Sequence, residues 1–429
     1  MNTQRLRILL LAQQNNPDWI SVPLVGYQHS AALAAIHDVT LVTHFENREA
    51  IVKAGDTWKE IYAIDLGIWE TFYRWCFWNL FKGDHGSQIL TVFRIPFYFA
   101  FEAKAWAHYK KALKGGEFDL VVRITPVAPV IPSLFASRCR TAKIPFILGP
   151  INGGLPWPVG YQQAEKQKEW VSSLRSFYTF LPFARSTYKD AQALVVGSSE
   201  TYRDYKQFAD KLFFMPENGI RESMVVERAP RDPSLPLKLI FVGRLVPSKA
   251  CDIALKAAAP LLLSGAATFT VVGDGEERPV LEALAKELNV SVTITGIVPH
   301  AQAMAYFRAA DVLVFPSIRE FGGGVIFEAL ALGCVPLVSN YGGPGDIVLD
   351  GRTGFKIDLK DEEFSIAGFR FALERLAKDR PLLETMAREG QRYVKEELSW
   401  RGKALQMTKI FQWCLGREAK PEYAPPRKL

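Results

Sequence analysis

Residues 312–339 read VLVFPSIREFGGGVIFEALALGCVPLVS, and the order of residue types in this stretch decides the fold. Val312–Phe315 is apolar on both faces, the pattern of a strand that helices cover on either side of a parallel sheet. A Pro-Ser turn ends it. An acid follows at Glu320, then three glycines, Gly322–Gly324, then a segment of helical period, Val325–Leu332, carrying a second acid at Glu328. Val335–Val338 is the next apolar run. Strand, glycine-rich turn, helix and strand in this order predict a βαβ unit within a parallel sheet.

The same rhythm extends outward from this stretch. Leu237–Val242, Thr268–Val272 and Ser291–Thr295 read as strands, with helices over Ser248–Ser264 and Glu276–Leu288 between them. Further upstream, Leu6–Leu11, Val39–His44, Leu120–Ile124, Pro145–Leu148 and Ala193–Val196 read as strands, and Val25–Ile36 as a helix. Between the two sets lies Arg228–Leu237 (RAPRDPSLPL), whose three prolines continue neither a helix nor an inner strand. The expected organisation is an N-terminal domain over 1–227, a linker over 228–236, a C-terminal domain over 237–400, and a helix and tail over 401–429.

The length of 429 residues suits two domains of roughly 200 each. With 48% hydrophobic and 23% charged residues the chain has globular composition, which excludes disorder. A net charge of +7, weighted towards the residues before Pro236, suits a phosphate-bearing ligand or an anionic surface. No run of five basic residues occurs, so nucleic acid is not expected as a partner. The five cysteines are scattered and never in CxxC spacing, which points to a reducing compartment. The apolar start, Leu6–Ala12, stops too soon for a signal peptide, and no run of about 18 apolar residues is long enough to span a bilayer. A cytoplasmic protein is expected. Residues 68–109 stand apart, with Trp69, Phe72, Tyr73, Trp75, Phe77, Trp78, Phe97, Tyr98, Phe99 and Trp106 among Arg74, Lys82, Arg94, Lys104 and His108. This aromatic-rich insertion reads either as a peripheral membrane contact or as a helical hairpin packed on the N-terminal domain, split near Arg94 and Pro96.

Two turns carry chemistry. Glycines between a strand and a helix let backbone N–H groups approach a ligand, and the helix start offers unpaired donors to a phosphate. Glu320 and Glu328 can accept hydrogen bonds from sugar and ribose hydroxyls. Against this, Glu328 reads equally as a helix pair and the glycines as a plain turn. In the second turn, Gly243-Arg244-Leu245-Val246-Pro247-Ser248-Lys249, a guanidinium and an ammonium follow a strand end, where open α/β sheets bind ligands. Both can reach one diphosphate, or both are solvated side chains.

Taken with Gly273-Asp274-Gly275, these turns resemble the donor domain of the GT-B fold, and in particular family 4 of the retaining glycosyltransferases. The spacing from Glu320 to Glu328 equals that family's E-x7-E motif, and the likeness runs from Leu237 to about Phe355. It implies two Rossmann-like α/β domains facing a cleft, with C-terminal helices returning to the N-terminal domain. It also implies catalytic roles for Arg244, Lys249 and Glu320, and donor contacts from Gly243, Gly273, Ile297, Phe321, Gly322, Gly323, Gly324 and Glu328. The sequence departs from the pattern at Phe321-Gly322, which inverts the usual Gly-Phe order, at Ala250, where Gly commonly stands, and at Asp346, which replaces a common Glu.

The acceptor side is carried by turns of the N-terminal half. Gly26 and His29 follow the first strand, where the family keeps a glycine loop. Asn152, Gly153, Gly154 and Trp157 form another strand-end turn, with Trp157 either a platform for a sugar ring or a core residue. Arg123 ends a strand too, and reads either as a contact to an acceptor phosphate or as a buried salt bridge. No D-x-D triplet, HExxH or paired histidines occur, so neither metal nor cofactor is expected. The expected activity is metal-independent retaining transfer of a hexose from a UDP- or GDP-linked sugar to a glycan or lipid-linked acceptor, in polysaccharide or glycolipid synthesis. The alternative is a non-catalytic scaffold that binds a nucleotide sugar.

Overall fold

Two parallel sheets carry the chain. The computed structural model describes residues 5–67, 71, 88–158, 160–161, 181–229 and 231–426. The first sheet contains β1 (Arg7–Ala12), β2 (Asp38–His44), β3 (Glu60–Ile64), β4 (Leu120–Thr125), β5 (Phe146–Ile151), β6 (Ala193–Val196) and β7 (Leu212–Phe214), in the order β3-β2-β1-β4-β5-β6-β7. The second contains β8 (Leu237–Val242), β9 (Ala267–Val272), β10 (Thr293–Ile294), β11 (Val312–Phe315), β12 (Val335–Ser339) and β13 (Phe355–Ile357), ordered β10-β9-β8-β11-β12-β13. Each sheet reverses its strand order once, at β1/β4 and at β8/β11. Loops leaving the C-terminal ends of strands at such a reversal border a natural crevice. The turns after β1, β8 and β11 are those the motifs occupy.

Helices cover both faces of the sheets. Inner strands such as β4 and β11 are buried along their whole length, which explains their unbroken apolar sequence. The helix Trp400–Cys414 crosses back to the first sheet, where Ala404, Met407, Ile410, Phe411 and Cys414 join the core under β1, β2 and β4. His37 Nε2 lies 2.8 Å from Thr408 Oγ1 across that contact.

Other contacts join the two sheets' units near the cleft. Ser199 N donates to Asp346 Oδ2 at 2.7 Å, and Ser199 Oγ donates to Asp346 Oδ1. Arg319 Nε donates to Leu155 O at 3.0 Å and Tyr341 Oη to Pro156 O at 2.7 Å. Asp346, which departs from the family pattern, thus holds the first turn of the helix Ser199–Asp204 of the other unit.

Much of the aromatic-rich insertion, residues 68–70 and 72–87, lies outside the described residues. Its second half is one helix, Gln88–Lys114, which runs through Pro96 and is not split there. Phe97, Tyr98 and Phe101 are buried in the core of the first unit, and Trp106 meets the Phe135 ring edge-on. Among the described residues no helix is long and apolar enough to cross a membrane. Cys139, Cys251, Cys334 and Cys414 are buried free thiols.

Candidate functional site

The turn after β8 passes through Gly243–Val246 into a short 3-10 turn, Pro247–Lys249. Gly243 N donates to Val272 O at 3.0 Å and Leu245 N to Asp274 O at 2.9 Å, so the turns after β8 and β9 lie against each other. A Cβ at Gly273 would stand 1.9 Å from Gly243 O, and φ there is +147°; only glycine allows this approach. Gly273 bridges Gly296, beside which Ile297 is 86% exposed. Ser248 O accepts from Ile318 N at 2.9 Å, which ties the β8 turn to the turn after β11.

That tie brings the two motifs together. Lys249 forms an ion pair with Glu320, both side chains being largely buried, and its ammonium also lies 5.2 Å from the centre of the Phe315 ring. The other oxygen of Glu320 accepts from Gly322 N and Gly323 N at 3.3 and 3.2 Å. A carboxylate held by one ammonium and two backbone N–H groups keeps one orientation, with no long side chain free to sweep. Gly343 N donates to Glu320 O at 2.9 Å and fixes the turn from behind. Arg244 is exposed on its turn, and its side chain has no hydrogen-bond or ion-pair partner among the described residues. Glu328, one turn into the helix Gly324–Ala331, pairs with His300 Nε2 at 2.9 Å; burial pushes its carboxyl pKa up against that pairing.

A cleft of about 260 Å³ opens over this turn, lined by Glu320, Phe321 and Gly322–Gly324 on one side and by Ser21, Val22, Val25 and Val127 on the other, with Glu217 and Asn218 between. Asn218 Nδ2 donates to Gly322 O at 3.0 Å, and a Cβ at residue 322 would lie 2.3 Å from that nitrogen. The inverted Phe321-Gly322 order therefore has a local reason: position 322 faces Asn218, while Phe321 is half-exposed beside Arg319.

The acceptor candidates scatter. Gly26 lies in the helix Val22–Ala34 and not in a loop; its Cα faces Gln14 O, where a Cβ would come within 2.3 Å. His29 is 1% exposed in the same helix, tilted against the Trp400 ring, and burial, reinforced by the Lys403 charge, pushes its pKa down to about 3. Arg123 is fully buried, donating to Ile131 O at 2.9 Å, and its charge faces the buried Glu102. Both side chains lie in the interior, His29 against Trp400 of the returning helix and Arg123 bonded to Ile131 O. Asn152 is buried and accepts from Thr201 Oγ1 at 3.3 Å, and Gly153 O accepts from the same hydroxyl. Gly154 has φ +80° in the turn that leads to Trp157. Trp157 lies beneath the Arg319 guanidinium and against the core of the second unit.

Glu217 and Asn218 escaped the sequence reading. The available signal was the turn Pro216-Glu217-Asn218-Gly219 directly after the apolar run Leu212–Met215, a polar strand end like the others.

Residues 227–393 match the family Glycosyl transferases group 1. The D-inositol 3-phosphate glycosyltransferase of Rhodococcus opacus is 34% identical over 170 residues, which cover 37% of this chain and 37% of that protein. The glycogen synthase of Mycobacterium tuberculosis is 28% identical over 209 residues, 48% of this chain and 49% of that protein. The match thus spans at most about half the length of these curated relatives. The solved structure of Alr3699/HepE from Anabaena, in complex with UDP, superposes over 95% of this chain and 100% of that one with a TM-score of 0.59, at 16% identity. The chain has the GT-B fold, and its residues 227–393 match the glycosyltransferase group 1 family.

Proposed function

We propose that the protein moves a hexosyl unit from a nucleoside diphosphate sugar to a hydroxyl of a glycan or lipid-linked acceptor, with retention at the anomeric carbon and without a metal. The observation that carries this reading is the ion pair of Lys249 with Glu320, which lines the cleft: a cation for diphosphate and an acid for sugar hydroxyls in direct contact. In this reading the donor's diphosphate draws Lys249 and the free Arg244 to itself, and the Glu320 carboxylate turns to the sugar. The start of the helix Gly324–Ala331 adds its unpaired N–H groups to the leaving phosphate. Glu328 holds the ribose, and the base lies along Gly296-Ile297. UDP is the favoured nucleotide, because Alr3699/HepE has been solved with UDP, with UDP and glucose, and with UDP-glucose. Asn152, Gly153, Gly154 and Gly26 lie on the acceptor side. Acceptors at a membrane surface fit the aromatic-rich insertion, placing the protein at the cytoplasmic face of the membrane.

Thermal-shift titration with UDP, UDP-glucose and GDP-mannose tests the donor. A ligand at 100 times its Kd stabilises by about 2.7 kcal/mol, and no shift with any of them refutes the reading. Replacing Arg244 or Lys249 by Ala is expected to lower turnover by about 100- to 1000-fold, the usual loss for one pre-aligned donor to a developing negative charge. Near-normal rates in both variants would remove the assigned roles.

A further inference from the structure

The cleft holds a second carboxylate that no motif marks. Glu217 sits between its two walls, in the segment that follows β7. Its Oε1 lies 3.5 Å from the point where a Cβ would stand at Gly322, so the carboxylate reaches across to the turn that carries Glu320. Three features of the fold hold it there.

The first is an amide. Burial pushes the Glu217 carboxyl pKa up, and Asn152, from the turn after β5, whose Oδ1 accepts from Thr201 Oγ1, works against that and favours the charged form. The second is a buried cation. Lys403, on the returning helix Trp400–Cys414, is 1% exposed, donates to Pro216 O, and faces Glu217 with its charge. The third is a close backbone approach: a Cβ at Gly219 would lie 2.9 Å from the Trp400 ring, so the segment is pressed onto the helix that brings Lys403. A buried ammonium with one carbonyl to bind is a costly group for a fold to keep. Its charge favours the ionised form of Glu217 from beyond ion-pair distance, while the Glu217 side chain lines the cleft.

Resting on the reading of the cleft as a donor-sugar site, we propose that Glu217 is a further catalytic residue, whose carboxylate faces the transferred sugar across from Glu320 and stabilises the positive charge that builds at the reacting carbon. In the step itself the bond from the anomeric carbon to the diphosphate oxygen breaks, and its electron pair leaves on the diphosphate. The acceptor hydroxyl oxygen bonds to that carbon, and its proton passes to the departing diphosphate. Glu217 is unchanged throughout; it lowers the energy of the intervening oxocarbenium-like state. Lys403 and Asn152 are positioning residues that act through it. The two acids then divide the work: Glu320, tied to the backbone of its turn, grips hydroxyls, and Glu217 meets charge.

The test compares wild type with Glu217→Gln, which keeps shape and removes charge, in UDP release from UDP-glucose with and without a glucan acceptor. The expected result is a fall in kcat of about 100-fold with the KM for UDP-glucose within about threefold, since charge at the reacting carbon exists only in the transition state. A kcat within about threefold of wild type overturns the proposal. So does a tenfold rise in KM at unchanged kcat, which would mark a ground-state grip on hydroxyls. If Glu217→Gln does not fold by circular dichroism, Asn152→Ala carries the same comparison, with about tenfold loss of kcat expected and an unchanged kcat overturning it. Wild-type protein that neither binds nor consumes UDP-glucose or GDP-mannose refutes the donor reading and this inference with it; wild-type turnover matched by Glu217→Gln refutes this inference alone.

Discussion

Lys249 and Glu320 stand on the turns after β8 and β11, and their contact follows from the parallel sheet that sets those two strands side by side. His29 lies in the interior, with neither ring nitrogen hydrogen-bonded. That location carries a pH signature. The folded His29 stays neutral down to about pH 3, while the unfolded residue takes a proton near 6.5, so the unfolded chain binds more protons as the pH falls below 6.5 and stability is lost there. The loss is about 1.4 kcal/mol per pH unit. His29→Leu removes the titrating ring, and its stability relative to wild type is expected to rise by that slope between pH 6 and pH 4.5. Chemical denaturation at several pH values measures it; a difference that stays flat contradicts the burial.

At the scale of elements, the strands missed in the sequence were β3, β7 and β13, and each lies at the edge of its sheet. An edge strand is covered less completely, so the unbroken apolar run that marks inner strands is shorter or interrupted, as in Glu60–Ile64 and in Phe355–Ile357 with its central lysine. The helix Gln88–Lys114 departs from the sequence pattern in the opposite direction, since it runs on through Pro96, a residue that by itself marks a break. The returning helix Trp400–Cys414 is the element on which most depends: it completes the core of the first unit and brings Lys403 beneath the cleft. Phe411 is fully buried there. Phe411→Ala is expected to cost about 3–5 kcal/mol by urea unfolding, the usual range for emptying a large aromatic site. A loss below about 1 kcal/mol would mean that the helix does not seal that core.

For the molecule as a whole, the cleft depends on contacts between parts far apart in sequence. Asp346 holds the backbone N–H and hydroxyl of Ser199, Asn218 holds Gly322, and Arg319 holds Leu155, so one wall is pinned to the other at three points. Asp346→Ala leaves the buried Ser199 donors without their acceptor and is expected to cost about 1–3 kcal/mol of stability. Differential scanning calorimetry reads this as a lower Tm, and an unchanged Tm would show the contact to be dispensable. The sequence by itself determined the α/β class, the positions of the inner strands along the chain and the identity of the turn residues that carry charge, because strand burial and strand-end turns leave local, periodic marks. Only the tertiary structure decided that Lys249 pairs with Glu320, that His29 and Arg123 are interior groups, and that Glu217 is backed by Lys403. Those facts arise from the crossing of chain segments at the cleft, and a contact between distant segments leaves no period or spacing to read.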